Sequence, residues 1–253
     1  DRSVNNNGLQ VNGTITKTAV ATGADLVAYS GFSASNYLEQ PYNADLDFGT
    51  GDFYYAAWFN STGVADNGML FKKEATSDID AYVIATNTFR VRASTSGLNI
   101  PFTPNIYNLL FLVRESGVFK GYLNGVLVDS AISGANFSTG ADVLFIGNRE
   151  TTASLPFNGS IALFRVGATA PTAAQIKEIY EAEKPLFQEN AKCTLNGTSD
   201  AVQCLAYDDS TELLHVGTSG GRSTFQGLRR VDETATNTTE ISAQGGMIIE
   251  ETA

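Results

Sequence analysis

The sequence predicts an all-β fold, built as a sandwich or a barrel. Only 17% of its 253 residues are charged, which suits short strands joined by turns better than helices held by ion pairs. Short apolar stretches recur along the chain, separated by clusters of Gly, Asn, Asp or Ser, and such regular spacing is typical of these two architectures. Between two such stretches, Asn124 and Gly125 are a residue pair that readily forms the two-residue turn of a tight hairpin.

Residues 1–35 are predicted to form an N-terminal strand segment that leads into the main domain. Leu9 and Val11 alternate with polar residues before the Asn12-Gly13 pair, a pattern that indicates a short hairpin. The first residue is Asp and not Met, so we expect this chain to begin inside a longer protein.

The main domain is predicted to span residues 36–185 and to contain most of the strands. One segment, 109–113, is apolar at every position, which indicates a central strand covered on both faces; a strand covered by a second subunit is the alternative. The strand-like segments of this domain are 53–59, 69–71, 81–85, 89–93, 109–113, 143–146 and 161–166.

One helix is predicted near the end of this domain. Thr172 and Gln175 have the spacing of a capping box, in which the side chain of each residue accepts a hydrogen bond from the backbone N–H of the other. Ile176 and Tyr180 then fall on one face, and Pro185 ends the pattern. We expect a single short helix packed against a sheet.

Residues 186–253 are predicted to form a C-terminal β segment. Three strand-like pieces, 202–207, 213–216 and 223–228, resemble one blade of a β-propeller, and a lone blade must complete its sheet on something else. An apolar strand at 245–249 would leave an exposed edge unless another chain paired with it. We therefore expect this segment to be completed by other subunits in a homo-oligomer.

The charge balance excludes several classes of partner. The formal net charge is −11, so nucleic acid and anionic membranes would be repelled over most of the surface. The sequence has no apolar run of the roughly 18 residues that a membrane helix needs, and we expect no membrane insertion.

Several segments, in order, resemble a laminin-G or concanavalin A-like lectin domain. Residues 37–53 leading into Ala57-Trp58-Phe59 look like its opening, 121–126 like its strand-turn-strand step, and 157–166 like its closing strand. The helix at 172–180 is similar to the family's usual final element. This resemblance implies a two-sheet jelly-roll sandwich over residues 36–185.

The same domain joined to the segment 205–218 resembles structural proteins of bacteriophage tails and fibres. The resemblance implies a trimer on the virion surface that contacts other virion proteins and recognises a host cell-surface glycan. A purely structural or decoration protein without sugar binding is the first alternative. A polysaccharide hydrolase is the second.

The sequence gives little support to catalysis. Glucanases that share this sandwich place their carboxylates as Glu-x-Asp-x-x-Glu, because one must assist while another donates a proton, and that spacing does not occur. The single histidine, His215, lies in an apolar strand, where a structural imidazole is the simpler interpretation. We therefore expect no enzymatic activity.

No cofactor is expected, with calcium as the one candidate. Asp78 and Asp80 would share a strand face and could bind Ca²⁺ with other loop oxygens, such as those of Asp45, Asp47 and Asp66. Ordinary turn chemistry is the alternative. Cys193 and Cys204 imply neither a zinc site nor a disulfide framework, and their pairing stays open.

A sugar site needs an aromatic face for the ring and planar polar groups for its hydroxyls. Asn148, Arg149 and Glu150 follow a strand end directly and form the best polar cluster, with Tyr54 or Tyr107 as the aromatic platform. The alternative is that Arg149 and Glu150 form a surface ion pair and that the tyrosines belong to the core or to subunit contacts.

Overall fold

The structure, a computed structural model, describes residues 7–64, 66–73, 79–94, 96–138, 142–149, 154–196 and 201–252. It divides into two compact units. The first contains Asp1–Thr18 and Ala28–Tyr180, and the second contains Ala19–Val27 and Glu181–Ala253. The sequence had predicted boundaries after residues 35 and 185.

The first unit is a jelly-roll sandwich of two antiparallel sheets, as predicted. Sheet A has the strand order β1 (Gln10–Asn12), β4 (Tyr37–Gln40), β13 (Leu144–Ile146), β6 (Met69–Lys73), β7 (Ile79–Ala85), β8 (Thr88–Ala93) and β9 (Ser96–Pro101). Sheet B has the order β12 (Val126–Ile132), β11 (Val118–Leu123), β10 (Asn108–Glu115), β5 (Phe53–Ser61), β14 (Gly159–Gly167), β3 (Val27–Ser30) and β2 (Thr16–Ala19).

The inner faces of the two sheets enclose an aromatic core. On β5, Phe53, Tyr55 and Phe59 point inward at alternate positions, as side chains of a strand must. The Tyr55 ring stacks on Phe71 of sheet A with centroids 4.8 Å apart. These contacts across the two layers exclude water from the centre of the sandwich and supply its main stabilisation.

The outer face of sheet B is covered by the predicted helix, α1 (Ala173–Glu183). Thr172 and Gln175 form the capping box: the Thr172 N–H donates to Gln175 Oε1 at 2.9 Å, and the Gln175 N–H donates to Thr172 Oγ1 at 3.3 Å. Tyr180 stacks on Trp58 at 5.6 Å. Leu109, which pairs with Trp58, is also buried. The prediction that 109–113 is a central strand covered on both faces is therefore confirmed.

Of two hairpins that were predicted from their turn residues, one is confirmed and the other is wrong. Asn124 and Gly125 have φ angles of 51° and 81° and join β11 to β12, as predicted. The predicted hairpin at Asn12-Gly13 does not form, because β1 pairs with β4 of sheet A while β2 belongs to sheet B. The chain passes from one sheet to the other at this point.

The second unit contains two small layers of strands. Sheet C has the order β15 (Val202–Asp208), β16 (Leu213–Thr218), β17 (Gly221–Gln226) and β18 (Arg229–Thr234). A separate hairpin consists of β19 (Thr238–Gln244) and β20 (Met247–Thr252). Two short 3-10 helices are also described, Ala44–Leu46 in the first unit and Lys184–Phe187 in the second.

The prediction that the strand at 245–249 has no partner in its own chain is wrong. Gly245 and Gly246 have φ angles of 63° and 81° and form the turn of the hairpin, so β20 pairs with β19 of the same chain. Strands β18 and β19 were not predicted from the sequence, because they carry few of the apolar residues by which a strand is recognised.

Asp208 fixes the hairpin to sheet C. Its carboxylate accepts the N–H groups of Gly246 at 2.6 Å and Gly245 at 3.2 Å, and the Ser210 hydroxyl at 2.7 Å. Hydrogen bonds from these donors hold the pKa of Asp208 well below its usual range, and the bond from the Gly246 N–H contributes most. The folded state therefore stabilises the ionised form of the Asp208 carboxylate.

We predict that Tyr55→Phe stabilises the sandwich by about 1 kcal/mol, because a buried hydroxyl without a partner keeps its desolvation penalty. Burial raises the pKa of Tyr55, and its hydroxyl has no hydrogen-bond partner among the described residues. Urea unfolding of both proteins measures the difference. Tyr107→Phe is the matched control: its hydroxyl is hydrogen-bonded to Ser160, so this change should destabilise. A loss of stability in Tyr55→Phe would contradict the prediction.

We also predict that Asp208→Asn destabilises the second unit in a pH-dependent way. Because the pKa of Asp208 is lower in the folded than in the unfolded state, its carboxylate stabilises the fold at pH values above the unfolded pKa of about 4. That stabilisation is lost progressively as the pH falls below this value and toward the folded-state pKa. The difference in melting temperature between wild type and Asp208→Asn should therefore be large at pH 7 and shrink toward pH 3. A pH-independent difference would show that the charge of Asp208 has no part in it.

Candidate functional site

A bulge in β14 opens one edge of the sandwich. The register of β14 against β5 shifts between Ala162 and Arg165, and Leu163 within the bulge has a φ of 47°. A left-handed backbone costs a non-glycine residue roughly 1–2 kcal/mol, so the surrounding structure must impose it. On its other side β14 pairs with β3 through one residue pair only, Ile161 with Tyr29.

Beyond that pair lies a cavity of about 660 Å³, which we call the edge cleft. Its apolar floor reaches the core between the sheets, and its walls include the bulge. The apolar and aromatic residues that line it include Leu38, Leu46, Phe48, Leu144, Ile146, Ile161, Phe164, Tyr29 and Tyr54, and the polar residues are Asn7, Gln40, Asp45 and Arg165. Its volume lies within the range of sites for small ligands.

The turn that carries Asp45 is fixed by hydrogen bonds. The Asp45 N–H donates to Asn43 Oδ1 at 2.8 Å, and Asn7 Nδ2 donates to Asp45 Oδ2 at 3.3 Å. From inside the sandwich, Lys73 Nζ donates to the Leu46 carbonyl at 2.5 Å and forms an ion pair with Asp47 at 3.2 Å. The carboxylate of Asp45 is therefore held at the cleft.

A second cavity of about 540 Å³ lies on the α1 side of sheet B. Tyr54 and Arg165 line both this cavity and the edge cleft. Phe111 and Ile179 line only the second one, and Phe111 lies beside the Tyr54 ring at 5.8 Å. The aromatic ring and the guanidinium group thus stand at the junction of the two cavities.

The edge cleft combines the groups that a saccharide needs. Tyr54 and Tyr29 offer aromatic surface for the apolar side of a sugar ring. Gln40, Asp45 and Arg165 offer planar amide, carboxylate and guanidinium groups for hydroxyls. Asp45 is the only carboxylate among the lining residues, so the cleft does not supply the pair that glycoside hydrolysis uses.

The structure separates the two predicted aromatic platforms. Tyr54 lines the edge cleft, whereas the Tyr107 hydroxyl bonds to Ser160 near the far end of β5. Tyr54 and the Asn60 position that pairs with Ser160 are six residues apart on β5, or roughly 20 Å at the rise of a strand. Burial raises the pKa of Tyr107.

Asn148, predicted to bind a ligand, is fully buried. Its Nδ2 donates to the Ser33 carbonyl at 3.0 Å, and its Oδ1 accepts the Leu155 N–H at 2.9 Å and the Ser154 hydroxyl at 3.1 Å. These bonds anchor the loop after β13. Arg149 is half-buried and lines neither cavity.

Glu150 lies outside the described residues. The ligand-binding role of Asn148, Arg149 and Glu150 stays a prediction.

Asp80 lies on the outer face of sheet A, away from the edge cleft. Its carboxylate is fully buried and accepts two hydrogen bonds from the Arg92 guanidinium, one of them at 3.0 Å. Asp78 lies outside the described residues. Among the residues that are described, no group of three or more His, Cys, Asp or Glu could hold a metal ion. Calcium binding at Asp78 and Asp80 stays a prediction.

Cys193 and Cys204 are free thiols, both half-buried, and burial raises the pKa of each. His215 is buried and lies 3.0 Å from Thr224 Oγ1 through Nδ1, and burial lowers its pKa. Neither thiol nor imidazole lines the edge cleft. In the described part of the chain, no helix has the length and hydropathy to cross a membrane.

Four residues of the cleft were not predicted to contribute to a sugar site: Tyr29, Gln40, Asp45 and Arg165. They come from four separate segments, and only the sheet order brings them together. Asp45 was singled out as an oxygen-rich loop residue. Arg165 was visible as a charged residue within a closing strand that is otherwise mostly apolar. No sequence signal marked the bulge that opens the cleft.

Comparison with known proteins gives a family and several solved structures of similar fold. The Laminin_G_3 family model, described as the concanavalin A-like lectin/glucanases superfamily, matches residues 31–177. Domain 4 of AbnA, an extracellular GH43 arabinanase from Geobacillus stearothermophilus solved with arabinotriose, is 16% identical, with a TM-score of 0.53, 68% of this chain covered and 87% of that one. No curated protein matches the chain in sequence.

Two toxin domains have a similar fold. The binding domain of Paraclostridial Mosquitocidal Protein 1 has a TM-score of 0.57 at 12% identity, over 86% of this chain and 60% of that one. The binding domain of Botulinum neurotoxin serotype G has a TM-score of 0.54 at 10% identity, over 97% of this chain and 60% of that one. The chain thus spans less than two thirds of these two toxin domains.

We predict that Asn148→Ala destabilises the sandwich by about 2 kcal/mol, because it leaves buried partners of the Asn148 amide without their hydrogen bonds. Chemical unfolding measures this loss. Tyr82→Ala, a half-buried position on the exposed side of sheet A, is the control for truncation in general. A variant with unchanged stability would show that the loop does not depend on this amide.

Proposed function

Because the chain belongs to the concanavalin A-like lectin/glucanases superfamily, we propose that it is a non-catalytic binding protein whose sandwich recognises a cell-surface glycan. The edge cleft carries this proposal. It joins aromatic surface from Tyr54 and Tyr29 to three planar polar side chains in one cavity of about 660 Å³.

Several observations support binding over catalysis. A single carboxylate, Asp45, lines the edge cleft, while retaining and inverting glycosidases both need two. A solved domain of similar fold carries arabinotriose, and two others are binding domains of toxins. Fold alone does not assign a ligand, so the cleft chemistry is the stronger support.

We further propose that the protein is a trimeric component of a phage tail or fibre, located on the virion surface and in contact with other virion proteins. The support is the sequence resemblance of the segment 205–218 joined to a laminin-G-like domain. Three weak glycan sites on one particle would bind a cell surface far more tightly than one site does. In the competing interpretation, the sandwich only decorates the particle.

We predict that Tyr54→Ala lowers glycan affinity roughly 5- to 30-fold, since an aromatic platform contributes roughly 1–2 kcal/mol to a bound ring. A glycan array with the full chain, including arabino-oligosaccharides and bacterial surface polysaccharides, would identify the ligand. Titration calorimetry with that ligand would then compare wild type, Tyr54→Ala and Asp45→Asn.

Tyr82→Ala is the matched control, because Tyr82 is half-buried on the outer face of sheet A and does not line the cleft. Equal losses in Tyr54→Ala and Tyr82→Ala would place the site elsewhere. An array without any binding would favour the decoration protein. Release of reducing ends from a polysaccharide would instead support the hydrolase.

A further inference from the structure

One aromatic ring belongs to both cavities of the first unit. Tyr54 lies on the outer face of sheet B, because its neighbours Phe53 and Tyr55 point into the core. It lines the edge cleft and also the second cavity, and so does Arg165. Every described residue that lines either cavity belongs to the first unit. The two cavities are therefore neighbours that share one ring and one guanidinium group.

A glycine beside Tyr54 leaves room for this ring. Gly167 of β14 pairs with Tyr54 of β5, and a Cβ atom at Gly167 would lie 2.7 Å from Tyr54 Cε1. Two carbon atoms in contact need roughly 3.5–4.0 Å. Phe111 lies beside the same ring, with centroids 5.8 Å apart. The Tyr54 ring therefore occupies space that only a glycine at position 167 leaves free.

The charged groups of the two cavities have a defined order. Among the described lining residues, Asp45 belongs to the edge cleft alone, Glu178 of α1 to the second cavity alone, and Arg165 to both. A guanidinium group donates hydrogen bonds and a carboxylate accepts them, so a chain of hydroxyl groups can use all three. An anionic chain would meet two carboxylates for one guanidinium group, on a protein of formal net charge −11. This order favours a neutral ligand.

The two volumes favour a chain over a single sugar. The edge cleft has a volume of about 660 Å³ and the second cavity one of about 540 Å³, and each lies within the range of a small-ligand site. Linked units of one chain can occupy both. The second unit then binds without a second loss of translational and rotational freedom, which gives a chain an advantage over separate sugars.

We propose that the edge cleft and the second cavity form one site for a neutral oligosaccharide, with at least one sugar unit in each cavity and Tyr54 between them. Asp45 and Glu178 accept hydroxyl groups at the two ends of the site, and Arg165 donates to the units near Tyr54. This inference rests on the proposed glycan binding, to which it adds the length and the charge of the ligand.

The first test is the dependence of affinity on chain length. Titration calorimetry of the full chain would use neutral arabino-, gluco- and manno-oligosaccharides of one to six units. In the series that binds, affinity should rise roughly tenfold or more from one unit to the length that fills both cavities, and then stay constant. Oligomers of galacturonic acid are the acidic counterpart and should bind more weakly. An affinity that does not rise with length, or that is higher for the acidic series, would overturn the proposal.

The second test separates the two cavities by charge-removing variants. Asp45→Asn should weaken every length that binds, because the larger edge cleft holds the first unit. Glu178→Gln should weaken only the lengths that reach the second cavity, roughly 3- to 10-fold, because a charged acceptor becomes a neutral one. Glu181→Gln, the same change on α1 at a residue that lines neither cavity, is the matched control. Equal affinities of Glu178→Gln and Glu181→Gln for every length would contradict the proposed second subsite.

Gly167→Ala tests the shared position of the ring. The added methyl group displaces Tyr54 without removing it, so all lengths should bind more weakly while a thermal melt shows a folded protein. Unchanged affinity in this variant would show that the position of the ring is not used. A chain that binds no glycan of any length would overturn the proposed function together with this inference. A chain that binds one sugar and gains nothing from added units would overturn this inference alone.

Discussion

The packing of two sheets around one aromatic core is the interaction on which the rest of the first unit depends. The alternation of β5 places Phe53, Tyr55 and Phe59 against sheet A, and the same alternation turns Trp58 outward to α1. One strand therefore organises both the core and the outer layer. The irregularity that opens the sandwich occurs in the neighbouring strand β14, where Leu163 takes a left-handed conformation.

The parts of the fold that were predictable are those in which local chemistry and tertiary contacts agree. Thr172 and Gln175 encode the start of α1 through their own hydrogen bonds, and Asn124-Gly125 encodes a turn through its positive φ angles. Strand β10 was recognisable because burial on both faces requires apolar residues at both parities. In each case the signal lies within a few neighbouring residues.

The parts that could not be predicted depend on distant partners. Asn12-Gly13 has the composition of a hairpin turn, yet β1 pairs with β4, about 25 residues later along the chain, as the edge strand of sheet A. The edge cleft draws on segments that no local pattern connects. Of the residues proposed for sugar binding, Tyr54 lines this cleft, while Asn148 holds a loop by hydrogen bonds that a sequence pattern cannot distinguish from contacts to a ligand.

Lys73 makes one wall of the edge cleft rigid. Its ammonium group lies inside the sandwich and grips the turn around Leu46 and Asp47, so one wall of the cavity is anchored to the core instead of to a surface loop. A ligand that entered the cleft would meet a preformed wall, so the entropic cost of binding would come mainly from the ligand's own lost freedom of motion. If the edge cleft binds a ligand as proposed, its selectivity should therefore depend on the shape of the ligand and should need no rearrangement of this wall.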